Sequence, residues 1–397
     1  MKKALCLVVV LLLIGPGYAA SAAKTVKIAS ISSGPDHSLA VATDGTVWGW
    51  GRNDSGELGD LTLKVHASPY RVPGIKDVKN VEAGSGFSMA LKKDGTVWVW
   101  GEPRIARGGK ALAGPAEPFQ IAKGAVQIGV GHKSFGIVLM KDGSVWGFGD
   151  PTGGHLGSEP GAGLSKIKGL PPIASISVGG RFTIALDKTG TPWGWGSNAG
   201  TPLQPGPAVI ETPRRIALQN GKPLTGVKAV SAGDRYALFV LRSGEVLGCG
   251  SNEFGLMMTD SGPGAQPVQN YPKTLAIGDV KQLSAGVTHA LALRSDGTLW
   301  TWGYYDDGRL SPDSYLNRDT GNVAPEPIQI RGIKGTIVHI EASRDSFRSH
   351  CLVLTSDGTV WTWGDNDYAY GVGNGELGLG LLGNEYIGKP TPIRWTA

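Results

Sequence analysis

Three histidines recur in one register of this sequence, and they are the first residues that could do chemistry. His37, His289 and His350 each stand eight residues before the glycine of an Asp-Gly pair, at Gly45, Gly297 and Gly358. Three imidazoles that converge on one point make a common zinc-ligand set, with a further position open to water. The same register, however, holds Phe87, Phe135, Phe182 and Tyr236 in the other copies of the pattern. No carboxylate or cysteine is patterned with the histidines to orient them, as a metal site requires. A space-filling role is the expectation, with no metal and no other cofactor.

Other catalytic signatures fail on inspection. The chain has no Gly-x-Ser-x-Gly, no His-Glu-x-x-His and no Cys-x-x-Cys. The run GNGELG at 373–378 matches the dinucleotide fingerprint in form, but no helical pattern follows it, and GELG also occurs at 56–59. Asp365, Asp367 and Glu376 fall at the first, third and twelfth positions of a calcium loop. Ala369 and Tyr370 then occupy the positions where that loop needs a ligand and a sharp-turning glycine. The chain is not expected to be an enzyme.

Recognition is the better supported chemistry. The segments that lead into the histidine register read GPDH, GSGF, GHKSF, GGRF, GDRY, GVTH and ASRDSFRSH. They differ in charge and length where the flanking runs are alike, as expected of binding loops on a rigid scaffold. Arg181, Arg235, Arg344 and Arg348, with Tyr236 and Phe347, are residue types enriched at interface hot spots. Together with His37, His289 and His350 they form the candidate partner-binding set.

These loops must be held by a repeated element, and the plainest copy of it is SLAVATDGTVWGWG, residues 38–51. An Asp-Gly pair between two alternating apolar runs is a strong hairpin signal, and its usual form is a type I′ turn. Trp48 and Trp50 lie two apart and share one face of the second strand. Six more copies follow, with turn glycines Gly95, Gly143, Gly190, Gly244, Gly297 and Gly358. They recur about every fifty residues, the range of propellers and solenoids. A further strand precedes each hairpin, and a variable segment, often Gly-x-Leu-Gly, follows it before a Pro-rich approach to the next unit. Of twelve tryptophans, all but Trp395 lie in the hairpin strands, where packing between units is the expected role.

The expected fold is all-β, a seven-bladed β-propeller of seven ~50-residue repeats closed by pairing of the N- and C-terminal segments. The strand TVKIASIS opens it and TPIRWT ends it, so both termini are expected to share one blade. Residues 24–397 form one domain, and a monomer is expected.

Met1 to Ala23 reads instead as a cleaved signal peptide, with Lys2 and Lys3, an apolar stretch from Ala4 to Ile14 and a small-residue cleavage region. Its loss removes two lysines from a formal net charge of +5, which is too mild for nucleic-acid binding. No membrane span is expected in the mature chain, which is placed in the periplasm or outside the cell. Cys249 and Cys351 sit at different positions of their repeats, so a disulfide between them is not expected. Glycine is 62 of 397 residues, about twice the usual ~7% share, and falls at turns and strand ends.

The pattern G-x-x-H-S-L-A-x-x-x-D-G-T-V-W-x-W-G, then G-x-L-G, then P-x-x-I, resembles the regulator of chromosome condensation repeat. Gly34 to Gly59 carries it most fully, and weaker copies cover nearly all of the chain after residue 23. The resemblance implies a seven-bladed propeller whose loops face a partner on one surface of the disc. Repeat five departs with Leu247 and Cys249 in place of the aromatics, and repeats two and four lack the Gly-x-Leu-Gly element. The nuclear role of the best-known relatives, nucleotide exchange on a small GTPase with chromatin docking, is not expected of an exported chain. The expected function is therefore a non-enzymatic scaffold for an unidentified envelope or extracellular protein. The alternative is a carbohydrate-binding lectin, or a hydrolase or lyase, with its site at the central channel mouth.

Overall fold

The hairpins form where the turn glycines place them, but with a different turn. In the computed structural model Ala42 N–H donates to Thr46 O at 2.9 Å and Gly45 N–H to Ala42 O at 2.8 Å. Gly45 has φ 84°, whereas Asp44 is not among the residues of positive φ. This is a three-residue loop, a type I turn followed by a left-handed glycine, and not the type I′ turn expected from Asp-Gly. Asp44 stabilises it locally, since its Oδ1 accepts from Thr46 N at 3.0 Å and from Thr46 Oγ1 at 2.7 Å. That Asp-to-Thr contact recurs at Asp94 and Asp296 and in the Asp142–Ser144 form, whereas in repeat four Asp187, at the start of the loop, bonds Thr189 and Thr191 N instead.

The structure describes residues 26–102, 106–107, 110–111, 114–131, 135–157, 163–258, 267–304, 323–343, 349–366, 375–382 and 386–395. It contains seven four-stranded sheets, six of them built from consecutive strands; in the second, a two-stranded ribbon of Ala106–Arg107 and Lys110–Ala111 intervenes before the outer strand. Blade one comprises Ile28–Ser33, His37–Ala42, Val47–Gly51 and His66–Arg71, all antiparallel, from the inner strand to the outer. Each inner strand lies beside the inner strand of the next blade, and Ile337–Ala342 of blade seven lies beside Ile28–Ser33. The ring is closed, and the fold is the seven-bladed β-propeller expected.

Closure differs from the expected strand pairing. The C-terminal strand Ile387–Pro392 pairs with Val360–Gly364 inside blade seven, while the N-terminal strand opens blade one. The first described strand is an inner strand of blade one and the last an outer strand of blade seven, and neither crosses to the other sheet. The termini meet by packing instead. Trp395 sets its ring edge-on to Trp48 and Trp50 at 5.9 and 5.8 Å. Ile28 N–H donates to Gly358 O at 3.2 Å, the bond that Val78 makes to Gly45 at 3.0 Å one junction on.

The cores lie between blades. Leu39, Val41 and Val47 of blade one pack with Val81, Ala90 and Trp100 of blade two. The buried indoles also clasp the preceding blade. Trp50 donates to Glu376 O at 2.8 Å, Trp195 to His155 O at 2.9 Å and Trp302 to Leu256 O at 3.1 Å. All of these carbonyls sit in the Gly-x-Leu-Gly segment or its equivalent. The leucine of that segment covers a glycine of its own blade, and a Cβ on Gly49 would lie 2.8 Å from Leu58 Cδ2.

Repeat four retains this turn without its glycines, contrary to the sequence reading. Thr201 and Gln204 adopt φ 56° and 76°. Asn198 Oδ1 accepts from Leu203 N at 3.0 Å, as Asn53 Oδ1 does from Leu58 N at 2.8 Å. The asparagine cap therefore sets the turn where glycine is missing. In repeat two Val99 fills the glycine position and is itself fully buried. Cys249 and Cys351 are both buried free thiols.

Candidate functional site

The histidine register begins the second strand of each blade, and its side chains point into the joints between blades. His37, His289, His350 and Tyr236 are at most 1% exposed, and Phe87, Phe135 and Phe182 fill the same slot. Each polar ring bonds to the following blade. His37 Nε2 meets Ser88 Oγ at 2.8 Å, and His289 Nε2 meets Cys351 Sγ at 3.2 Å. His350 Nε2 lies 2.9 Å from both Ser33 Oγ and Ser38 Oγ, while Tyr236 donates its hydroxyl to His289 O at 3.0 Å. Burial lowers the pKa of His350 to about 4. Burial, then the charges of His350 and Arg52, lowers that of His37 to about 3. All four residues present no surface to a partner, and they leave the candidate set for a physical reason: the first position of this strand is a wedge. Among the described residues no group of three His, Cys, Asp or Glu side chains is arranged to hold a metal ion.

The arginines behave differently. Arg181 and Arg235 belong to the loops between first and second strands of blades four and five; Arg181 is exposed and Arg235 half-buried. Arg181 Nε donates to Asp234 Oδ1 at 3.3 Å, and an Arg235 guanidinium N–H donates to Glu253 Oε2 at 2.8 Å. Gly180 N–H donates to Gly233 O at 3.0 Å, which ties the two loops together. The result is an alternating row of charge across one blade boundary, on the face that also carries the Gly-x-Leu-Gly loops. Arg344, Phe347 and Arg348 lie outside the described residues.

The same face holds a second polar group on blade one. Arg52 bonds to Asp54 at 2.6 Å and approaches Asp36 at 3.5 Å. Burial raises the Asp36 pKa, partly offset by the Arg52 charge. Of the calcium-like set, Asp367 is outside the described residues, and the Glu376 carbonyl serves the blade clasp to Trp50.

The channel carries residues that motif inspection missed. In each inner strand a β-bulge inserts one residue, as between Ile28 and Ser30 or between Ile337 and His339, so unburied side chains line the axis. There His339 Nε2 meets Glu341 Oε1 at 3.0 Å. Burial lowers the His339 pKa, but the Glu341 bond and the charges of Glu341 and Glu82 outweigh it and leave the value raised. Aligning the inner strands by column would have shown them, because Glu82 and Glu341 stand where Ser32, Ser177, Ser231 and Ser284 stand elsewhere. Those serines accept backbone N–H groups from the next blade, as Ser177 does from Ala232 at 2.9 Å. Half-buried Trp98 and Trp193, the aromatics a saccharide would need, are capped by Lys92 and Arg215 at 5.2 and 5.1 Å.

Fold and loops together define a seven-bladed propeller with one face of variable polar loops. The chain carries repeats of the regulator of chromosome condensation (RCC1) family, whose models match residues 28–57, 227–256, 280–309 and 348–369, and 44–91. It is 29% identical over 205 residues to the human E3 ubiquitin-protein ligase HERC2, which covers 51% of this chain and 4% of that protein. It is 28% identical over 244 residues to protein pim1 of Schizosaccharomyces pombe, covering 57% of this chain and 42% of pim1. The chain thus spans less than half the length of either. Among solved structures, Prp20p from Saccharomyces cerevisiae, described by its binding to Gsp1p and histones, superposes with TM-score 0.73. That match has 19% identity and covers 90% of this chain and 88% of Prp20p. Human WBSCR16 gives TM-score 0.72 at 21% identity, covering 88% and 94%.

Proposed function

We propose that this protein is an exported, non-enzymatic binding scaffold that engages a partner protein through the variable loops of one propeller face. One observation carries the reading: near-identical strands hold loops that differ from blade to blade, and two of those loops set Arg181, Asp234, Arg235 and Glu253 side by side at the surface. Surface ion pairs of this kind contribute little to stability, so their value lies in orienting charge toward a partner. Propeller relatives that bind proteins, Prp20p among them, support a scaffold role. Met1 to Ala23 supports export, and no helix among the described residues is long and apolar enough to cross a membrane.

The test is crosslinking capture from envelope and culture medium with the purified protein, beside a variant carrying Arg181→Ala and Arg235→Ala. A partner caught by the parent and lost by the variant is expected. Equal capture by both would move the site off this boundary. Intact mass of the isolated protein should show residues 1–23 removed, and retention of them would contradict export by cleavage.

A further inference from the structure

The two faces of the disc differ in charge, and the difference lies in the connectors. One face carries the loops between first and second strands and between third and outer strands. The other carries the hairpin turns and the connectors that lead from each outer strand to the next inner strand. On this turn face, five of the six connectors present an exposed lysine, Lys76, Lys123, Lys168, Lys222 and Lys334, and the exposed Lys27 stands just before the first inner strand. The remaining connector, from blade five to six, follows the exposed Lys273 closely. The connector carboxylates are Asp77 and Asp279, and Asp279 lies 3.5 Å from Arg294.

The turns themselves are near balance, with Asp94, Asp142 and Asp296 set beside Lys93, Lys141 and Arg294. At the centre the balance tips again. The inner-strand bulges put Lys79, Lys228 and Lys281 at the turn-face mouth of the channel, all exposed. Val126 and Val338 hold the equivalent position in other blades and are 45% and 39% exposed. The loop face has the opposite sign. There the described loops carry Asp36, Asp54, Asp60, Glu102 and Asp150 against Lys64, Arg107 and Lys110, while Arg52, Arg181 and Arg235 are each bonded to a carboxylate.

We infer that the turn face is a docking surface for an anionic lipid bilayer. Its shape fits a plane: each blade ends there in a hairpin loop of the same three-residue length, so the tips lie at one level. Its charge is spread over the blades rather than gathered in a stripe, so a flat sheet of headgroups can meet the lysines together, whereas a linear polyanion meets a few. The cations are mostly lysines, which act as point charges and need no bidentate geometry. Exposed lysines close to a negatively charged leaflet are attracted individually, and their contributions accumulate. The acidic loop face turns outward in this orientation. The inference does not depend on the partner-binding loops, which lie on the other side of the disc.

Vesicle flotation tests it, using the protein as isolated, with phosphatidylcholine vesicles and with the same vesicles containing phosphatidylglycerol. Binding to the anionic vesicles alone, weakening as salt rises, is expected. The variant Lys79→Glu/Lys228→Glu/Lys281→Glu should bind on the order of a hundredfold more weakly. These side chains are exposed, so its melting curve should match the parent, and Lys64→Glu on the loop face should bind as the parent does. Equal partitioning onto neutral vesicles would overturn the inference. So would unchanged binding by the triple variant, or tighter binding to duplex DNA or heparin than to anionic vesicles at the same ionic strength.

Discussion

At the scale of single residues, burial sets two opposed pH dependences. Glu57 is 1% exposed, and its carboxylate accepts from Ser55 N at 2.9 Å. Burial, with a further contribution from Asp54, pushes its pKa up from 4.5 to about 7 against backbone hydrogen bonds and Arg52. The folded chain therefore holds this proton more tightly than the unfolded chain. Stability from the neutral carboxyl is complete below pH 4.5 and is lost as pH rises through about 7. The loss is up to about 3 kcal/mol. Glu57→Gln stays uncharged throughout, so calorimetry should show its Tm falling less between about pH 5 and 8 than the parent's. Parallel falls would remove Glu57 as the cause. His37 and His350 act on the acid side, since burial lowers both. Their contribution is present above pH 6.5 and is lost as pH falls through about 4 for His350 and about 3 for His37. Phe fills this slot in three other blades. His350→Phe should cost about 1–2 kcal/mol near neutrality through its lost serine bonds, yet flatten the acid limb. A variant that loses stability below pH 6.5 as steeply as the parent would reject the assignment.

At the scale of elements, the hairpins were legible because turn glycines and alternating apolar runs act locally. What was not legible depends on partners distant in sequence. The histidine register carried two expectations, space filling and partner binding, and only Ser88, Cys351 and Ser38 of the following blades decide for the first. Glu82 and Glu341 carry no motif, and only the ring brings their strands to one axis. Turn four was missed because the reading looked for glycine, while Asn198 does the positioning. Its Oδ1 accepts from Leu203 N, and its Nδ2 donates to Gln204 O at 2.8 Å. Asn198→Ala leaves the buried Leu203 N–H unsatisfied, although Gln204 O keeps its bond from Arg214 at 3.0 Å, and releases Thr201 and Gln204 from left-handed backbone. A loss of about 1–3 kcal/mol is expected in denaturant unfolding. A loss no larger than that of an exposed substitution such as Lys222→Ala would mean that the turn holds itself.

At the scale of the whole molecule, the weak point of the ring is the junction of blades seven and one, which no covalent connector spans. Every other junction is tethered by a connector as well as packed. Here closure rests on Leu352, Leu354, Ile393 and Trp395 against Ile28, Ala40, Trp48 and Trp50, and on hydrogen bonds from Ile28 to Gly358, from Trp50 to Glu376 and between His350 and Ser33 and Ser38. Trp395 bridges both indoles of blade one, so Trp395→Ala opens a gap at the seam itself. Truncating a packed tryptophan costs about 3–5 kcal/mol in a full core, and somewhat less for this partly buried one. The loss should also be placed unevenly. Hydrogen exchange in the variant should rise first along Ile28–Ser33 and Val360–Gly364, the strands that flank the seam, with blades three to five protected as in the parent. A strand-swapped closure would behave otherwise, because pairing within one sheet would hold the seam after the indole contact is gone. A Trp395→Ala variant with parental Tm and parental exchange at the seam would show that the ring closes by something other than this packing.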